Sequence, residues 1–241
     1  MKSPSVNILD QGELLSIELN RPSAGNAIDL EMVNAIVDCL YNITDNIKVI
    51  KISATGENFC TGRESPMPGL GPHASGEKIR QVVAAPPLKL YDAIRNTPVP
   101  VISVVRGKAS GAGCALACVC DITYASETAV FDVNEMDRDI PPTLVMTALL
   151  GKVPLKTLAQ LVLSREKLNS NEAMQAGLIR NVVSDLELEN SSNLFIEKLL
   201  KNSTHSLRAI KQFLIHAPEM SSHSFSMFAG HLAGTALSTK F

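Results

Sequence analysis

The chain has 241 residues, of which 45% are apolar, and a formal net charge of -2 at neutral pH. That is enough apolar material for one sizeable core and too little positive charge to call for nucleic acid or an anionic membrane surface as a partner. No run of about 18 apolar residues occurs, and the N-terminus has neither a signal-type apolar region nor an arginine-rich amphipathic pattern. The expectation is a cytoplasmic, enzyme-sized protein with no membrane association.

Residues 6–10 and 14–20 read as two strands of a hairpin around Gln11-Gly12-Glu13. A polar loop follows, Asn20-Arg21-Pro22-Ser23-Ala24-Gly25-Asn26-Ala27-Ile28, and Asp29 is placed to end it by capping a helix. In that helix Met32, Val33, Ile36, Val37 and Leu40 form one apolar stripe. Residues 47–53 read as a strand that runs into a small-residue turn containing Phe59-Cys60-Thr61-Gly62-Arg63-Glu64. The next stretch begins irregularly at Pro66, Pro68, Gly69, Gly71 and Pro72. It then turns helical, with Pro86-Pro87 expected to interrupt a helix begun near Ser75 and to start another that reaches Asn96. Such a segment suits an adaptable pocket wall.

Residues 99–105 are apolar, largely β-branched and uncharged, which suits a strand buried on both faces. Directly after them, Gly107-Lys108-Ala109-Ser110-Gly111-Ala112-Gly113 makes a glycine-rich turn into an apolar helix. Orphan N–H groups and the helix dipole there favour a ligand that is anionic or becomes so during a reaction. Alternatively, the glycines serve only to let helix and strand pack closely. Neither the P-loop pattern nor the G-x-G-x-x-G dinucleotide spacing is present, so a nucleotide phosphate is not the obvious guest.

Short strands are expected near 121–126 and 129–133, then helices over 143–150, 155–163, 171–176 (ended by Gly177), 193–201 and 206–216. No repeat or linker divides the chain. Five cysteines in apolar settings (Cys39, Cys60, Cys114, Cys118 and Cys120) suggest reduced thiols rather than a disulfide framework, and buried small hydrophobes rather than metal ligands.

Three segments in order resemble the crotonase superfamily, the enoyl-CoA hydratase and isomerase group. Residues 20–27 match the family's N-R-P-x-x-x-N-A, residues 59–64 its F-x-A-G-x-D, and residues 107–117 its G-x-x-x-G-G-G-x-E-L-A, followed by the Cys120-Asp121 dipeptide. The resemblance covers nearly the whole chain. It implies an α/β fold, a crotonase-like ββα spiral core over residues 1–190 with a helical C-terminal trimerisation region over 191–241. It also implies an acyl-CoA thioester substrate, with CoA as the substrate's handle rather than a separate cofactor, no metal, and a homotrimer or hexamer. Phe225, Met227, Phe228 and Leu232 are expected to leave an apolar patch exposed on an isolated protomer.

Carried over residue by residue, the resemblance places an oxyanion hole at the backbone N–H groups of Arg63, which follows Gly62, and Ala112, which follows Gly111. Such donors stabilise a thioester enolate by ~3–4 kcal/mol each. Arg21 and Ala24 would lie near CoA. Within the segment resembling F-x-x-P-E, Glu135 would move the proton, and Asp132, on strict strand alternation, would face away from the pocket. The family's hydratases have a glutamate where this chain has Ala115. One base suffices to move a double bond, whereas hydration is a task that two carboxylates share well, so isomerisation of an enoyl-CoA is the favoured reading. The alternatives are a hydratase or decarboxylase that recruits Asp139, His73 or Tyr91, and a catalytically silent acyl-CoA-binding module.

Overall fold

The computed structural model describes residues 4–65, 67, 70–71 and 73–239; Pro66, Pro68, Gly69 and Pro72 of the irregular stretch, like the terminal Phe241, lie outside the described residues. A six-stranded sheet carries the fold, in the order β1 (Val6–Asp10), β2 (Leu14–Leu19), β3 (Val49–Ala54), β4 (Val101–Val105), β6 (Ile122–Ser126) and β9 (Asn181–Val183). Only the β1–β2 hairpin is antiparallel; every other neighbouring pair in that sheet is parallel. A smaller sheet of β5 (Lys108–Ser110), β7 (Val130–Asp132) and β8 (Leu168–Asn169) lies where the second turn and the Glu135 segment meet.

Local chemistry explains the elements around the site. β4 is buried at every position, as its unbroken β-branched run requires. β2 alternates, burying Leu15, Ile17 and Leu19. α1 (Leu30–Tyr41) is capped by Asp29, which accepts from the Met32 N–H at 2.8 Å, and it buries the whole stripe from Met32 to Leu40. α4 (Ala112–Val119) is buried all round, so it packs between sheet and helices as a central element.

The pocket wall departs from its expected break. Helical structure runs from α2 (Gly76–Ile79) through a π turn at Arg80–Ala84 into α3 (Ala85–Asn96) without a gap. The Ala85 N–H reaches back to the Arg80 carbonyl, and this widened turn admits Pro86 and Pro87 at the start of α3. Helices α5 (Thr143–Leu149), α6 (Leu155–Ser164) and α7 (Ser170–Gln175) follow. α8 (Leu188–Leu200) starts earlier than its sequence pattern suggests and runs through position 190, so the expected division between core and C-terminal region falls inside a helix.

The C-terminal region ends in α9 (Thr204–His216) and α10 (Ser222–Ser238). These pack on each other through Phe213 and Phe228, stacked at 6.3 Å, while Ile210, Leu214, Phe225 and Met227 stay exposed and Leu232 is half-buried. Among the described residues no helix is long and apolar enough to cross a membrane.

Candidate active site

The first turn is built by its neighbours. Asn26, fully buried with φ +56°, accepts from the Arg21 N–H at 2.7 Å and donates to the carbonyls of Thr55 and Asn58 at 2.9 and 2.8 Å. This asparagine bolts the loop over 20–28 to the end of β3, which is why an amide able to adopt a left-handed conformation stands there. Ile28 then donates to the Gly62 carbonyl at 3.0 Å and accepts from the Glu64 N–H at 2.9 Å. Alternate peptides of an extended segment point opposite ways, so the N–H of Arg63 faces away from Ile28, with no acceptor among the described residues.

The second turn is pinned to the first by a parallel bridge between Cys60 and Ala109, with Cys60 N–H to Lys108 O at 3.0 Å and Ser110 N–H to Cys60 O at 2.9 Å. Gly111 has φ +50°, and its N–H is taken by the Asp132 carbonyl at 2.9 Å. A methyl group on Gly113 would lie 2.8 Å from the Cys60 carbonyl carbon, so glycine there permits the close approach of the two turns. The N–H of Ala112, in the first turn of α4, is left without an acceptor among the described residues. Ala112 keeps 8% of its surface open whereas Ala115, one turn further on, keeps none.

Glu135 opens a short 3-10 turn, Glu135–Arg138, directly beyond β7. Its carboxyl lies over Gly111: a methyl group there would be 3.1 Å from Glu135 Cδ and would collide with Oε1. Oε2 is buried with no hydrogen-bond partner among the described residues. Burial pushes the Glu135 carboxyl above the ordinary glutamate range, opposed by Arg138 and Arg63 and reinforced by Asp132. A carboxylate poised in this way, beside a helix start with a free N–H, can take a proton from carbon and return it.

Asp132 lies at the end of β7. It is buried, its Oδ1 has no partner among the described residues, and its charge is felt by both Glu135 and Cys114. β7 is only three residues long, and the chain turns into the 3-10 segment before Glu135, so strict alternation does not run as far as that residue. Tyr91 comes to the same place from α3: burial raises its hydroxyl pKa, with Cys60, Arg63, Glu135 and Cys114 as its electrostatic neighbours.

Other candidates lie elsewhere. Asp139 is exposed in a left-handed turn and His73 is exposed in the wall segment. Ala24 is exposed in its 3-10 turn. Arg21 is engaged within its own loop, with Asp29 at 3.0 Å, the Ala27 carbonyl at 2.7 Å and Glu64, so its guanidinium is a clasp for this turn. Sequence reasoning missed Lys211, which pairs with Asp121 just past the C-terminal end of α4 at 2.7 Å; a buried-lysine signal would have required knowing that α9 crosses there.

A family model described as enoyl-CoA hydratase/isomerase matches residues 10–231. Enoyl-CoA hydratase domain-containing protein 3, mitochondrial, of Danio rerio is 31% identical over 195 residues, 80% of this chain and 66% of that protein. The chain therefore spans just under two thirds of the length of that relative. The 2,3-dehydroadipyl-CoA hydratase of Escherichia coli K12 is 33% identical over 214 residues, covering 87% of this chain and 81% of that one. A structural relative from Thermobifida fusca YX, solved in complex with CoA, has a TM-score of 0.89 at 25% identity and covers 98% and 94% of the two chains. Matched over most of its length in sequence and in fold, with its three turns in the family's order, the chain belongs to the enoyl-CoA hydratase/isomerase family and has the crotonase fold.

Proposed function

We propose that this protein shifts the double bond of an enoyl-CoA thioester, with the N–H groups of Arg63 and Ala112 holding the thioester oxygen and Glu135 moving the proton. The observation that carries this reading is the asymmetry of the second turn. One carboxyl, Glu135, lies against Gly111 with an unpartnered oxygen, while the position one helical turn into α4 is a fully buried alanine. Removal of a proton next to the thioester would place charge on its oxygen, where two donors await it, and the same carboxyl would return the proton to the far carbon. CoA serves as the handle of the substrate, in keeping with the CoA complex of the Thermobifida fusca relative. The exposed apolar residues of α9 and α10 support a homotrimer or a dimer of trimers.

Hydration is the second reading, favoured by Asp132, whose Oδ1 is a second buried, unpartnered carboxyl oxygen and whose charge is felt by Glu135. The relatives carry hydratase names. Spectrophotometric assays with trans-2-enoyl-CoA and with cis- and trans-3-enoyl-CoA substrates separate the two. Interconversion of the 3- and 2-enoyl forms without 3-hydroxyacyl-CoA supports the isomerase; accumulation of 3-hydroxyacyl-CoA selects hydration; tight binding with no turnover of any substrate leaves an acyl-CoA-binding module.

A further inference from the structure

The N–H of Arg63 and the carbonyl of Gly62 belong to one peptide unit, and in a trans peptide they point opposite ways. Whatever holds the carbonyl therefore aims the N–H. Two donors hold it: the Ile28 N–H at 3.0 Å, and the Cys60 thiol, whose Sγ lies 3.1 Å from the oxygen. A carbonyl oxygen has two lone pairs, and both are used. Gly62 allows this arrangement with φ +132°, a backbone conformation that residues with a side chain rarely adopt. Further along the same residue, the Arg63 guanidinium donates to the Val83 carbonyl in the π turn, so Arg63 is tied at its backbone and at its tip.

Cys60 is fully buried between the two turns, at the bridge to Ala109. Burial pushes its thiol up to about 12, with the Gly62 and Ile28 backbone opposing the change, so the sulfur keeps its proton at neutral pH and is a donor. The second turn has a counterpart to this contact. The Ala112 N–H shares its peptide with the Gly111 carbonyl, which accepts from the Ala115 N–H at 3.0 Å as part of α4. There the helix backs the donor; the first turn opens no helix, and a neighbouring N–H and a thiol take that part.

We infer that the Cys60 thiol is a positioning residue for the first oxyanion donor: by donating to the Gly62 carbonyl it fixes and polarises the Gly62–Arg63 peptide, and so strengthens the Arg63 N–H as a donor to the thioester oxygen. This rests on the oxyanion role proposed for Arg63. A thiol is a weak donor, so the effect is one of tuning. Hydrogen bonds in a chain strengthen one another by about 10–30% each, which for an oxyanion donor corresponds to about a 2- to 8-fold change in kcat.

The experiment compares Cys60→Ala, which removes the donor, with Cys60→Ser, which keeps a donor in nearly the volume of alanine. Isomerisation of trans-3-hexenoyl-CoA should lose about 2- to 8-fold in kcat in Cys60→Ala with KM little changed, and Cys60→Ser should stay close to the wild type. Equal losses in the two variants would overturn the inference and leave Cys60 as packing between the turns. The infrared carbonyl band of bound hexanoyl-CoA, labelled with carbon-13 at the thioester carbon, reads donor strength without turnover. It should lie below the band of the free ligand in the wild type and in Cys60→Ser, and move back towards it in Cys60→Ala. Should Cys60→Ala fail to fold, Cys60→Val removes the donor without opening a void and carries the same expectations. A wild type that turns over no enoyl substrate, but whose lowered band depends on the donor at position 60, refutes the proposed reaction and upholds the inference. A band lowered in the wild type and unmoved in Cys60→Ala refutes the inference alone, and a wild-type band at the free-ligand position refutes the Arg63 role and the inference with it.

Discussion

Two carboxyl sites, one at either end of α4, are treated in opposite ways. Just past its C-terminal end, Asp121 accepts from Lys211 Nζ through both oxygens at 2.8 and 2.7 Å and from the Val101 N–H at 2.8 Å. Near its N-terminal end, Glu135 and Asp132 each keep a buried oxygen with no partner among the described residues. An unpaired buried acceptor costs about 1–3 kcal/mol, more if charged, so the N-terminal arrangement weakens the fold while the C-terminal one is satisfied. The difference teaches how to tell the roles apart. Asp121, although it belongs to a family motif, ties α9 to the sheet, while the unmatched pair lies at the site proposed above for substrate.

The largest expected effect comes from Glu135→Gln, which removes the base and keeps its shape. Isomerisation should fall by ~10²–10⁴ in kcat/KM, with acyl-CoA affinity close to that of the wild type. The same change should raise Tm at neutral pH. Burial lifts the folded-state pKa of Glu135 above its unfolded value, so the native state gains stability below the unfolded pKa and loses it as pH rises through the folded one. Glutamine escapes that loss, and the two Tm curves should converge in acid. Catalysis that survives the substitution, or a Tm that drops at neutral pH, would break the contrast between the two sites.

Next in size is Lys211→Met, which strands the Asp121 carboxylate in the interior. Breaking a buried pair from one side costs about 3–5 kcal/mol, which lowers Tm by about 10 °C in a protein of this length. Adding Asp121→Asn should return a good part of this, because the stranded charge is gone. Activity per folded molecule should hold, since Lys211 pairs with Asp121 at the C-terminal end of α4 while Glu135 lies over Gly111 at its start. A double variant no more stable than Lys211→Met alone would show that the pair acts by packing and not by charge.

Much of the local geometry of the candidate site was legible because it is made of short-range chemistry. The glycines of both turns, the Asp29 cap and the buried stripe of α1 are set by neighbours within a few residues, and Glu135 lies just beyond a strand that the sequence marks. What was not legible depends on contacts between distant segments. The Arg63 guanidinium donates to the Val83 carbonyl twenty residues along the chain, and no local pattern joins them. Pro86-Pro87 read as a break because proline ends an ordinary α-helix; a π turn that absorbs it leaves no mark in hydrophobic periodicity. That Asp132 ends up buried with an unpartnered oxygen could not be read from alternation, because β7 is too short for that pattern to apply.

The smallest effect, and the one that sharpens the comparison most, is that of Asp132→Asn. Burial is the first cause of the raised Glu135 pKa, and the like charge of Asp132 adds to it in the same direction. Removing that charge favours ionised Glu135, so the acid limb of kcat/KM for isomerisation should move to lower pH, with rates at neutral pH changed by less than about 10-fold. If hydration is the reaction, the outcome differs in kind. A carboxyl that holds and deprotonates water cannot be replaced by an amide, and the hydration rate should fall by ~10²-fold or more at every pH. A pH profile of the Asp132→Asn variant on a trans-3-enoyl and a trans-2-enoyl substrate therefore separates an electrostatic neighbour from a second catalytic group, and it decides whether one or both of the unmatched carboxyls near the start of α4 take part in the reaction.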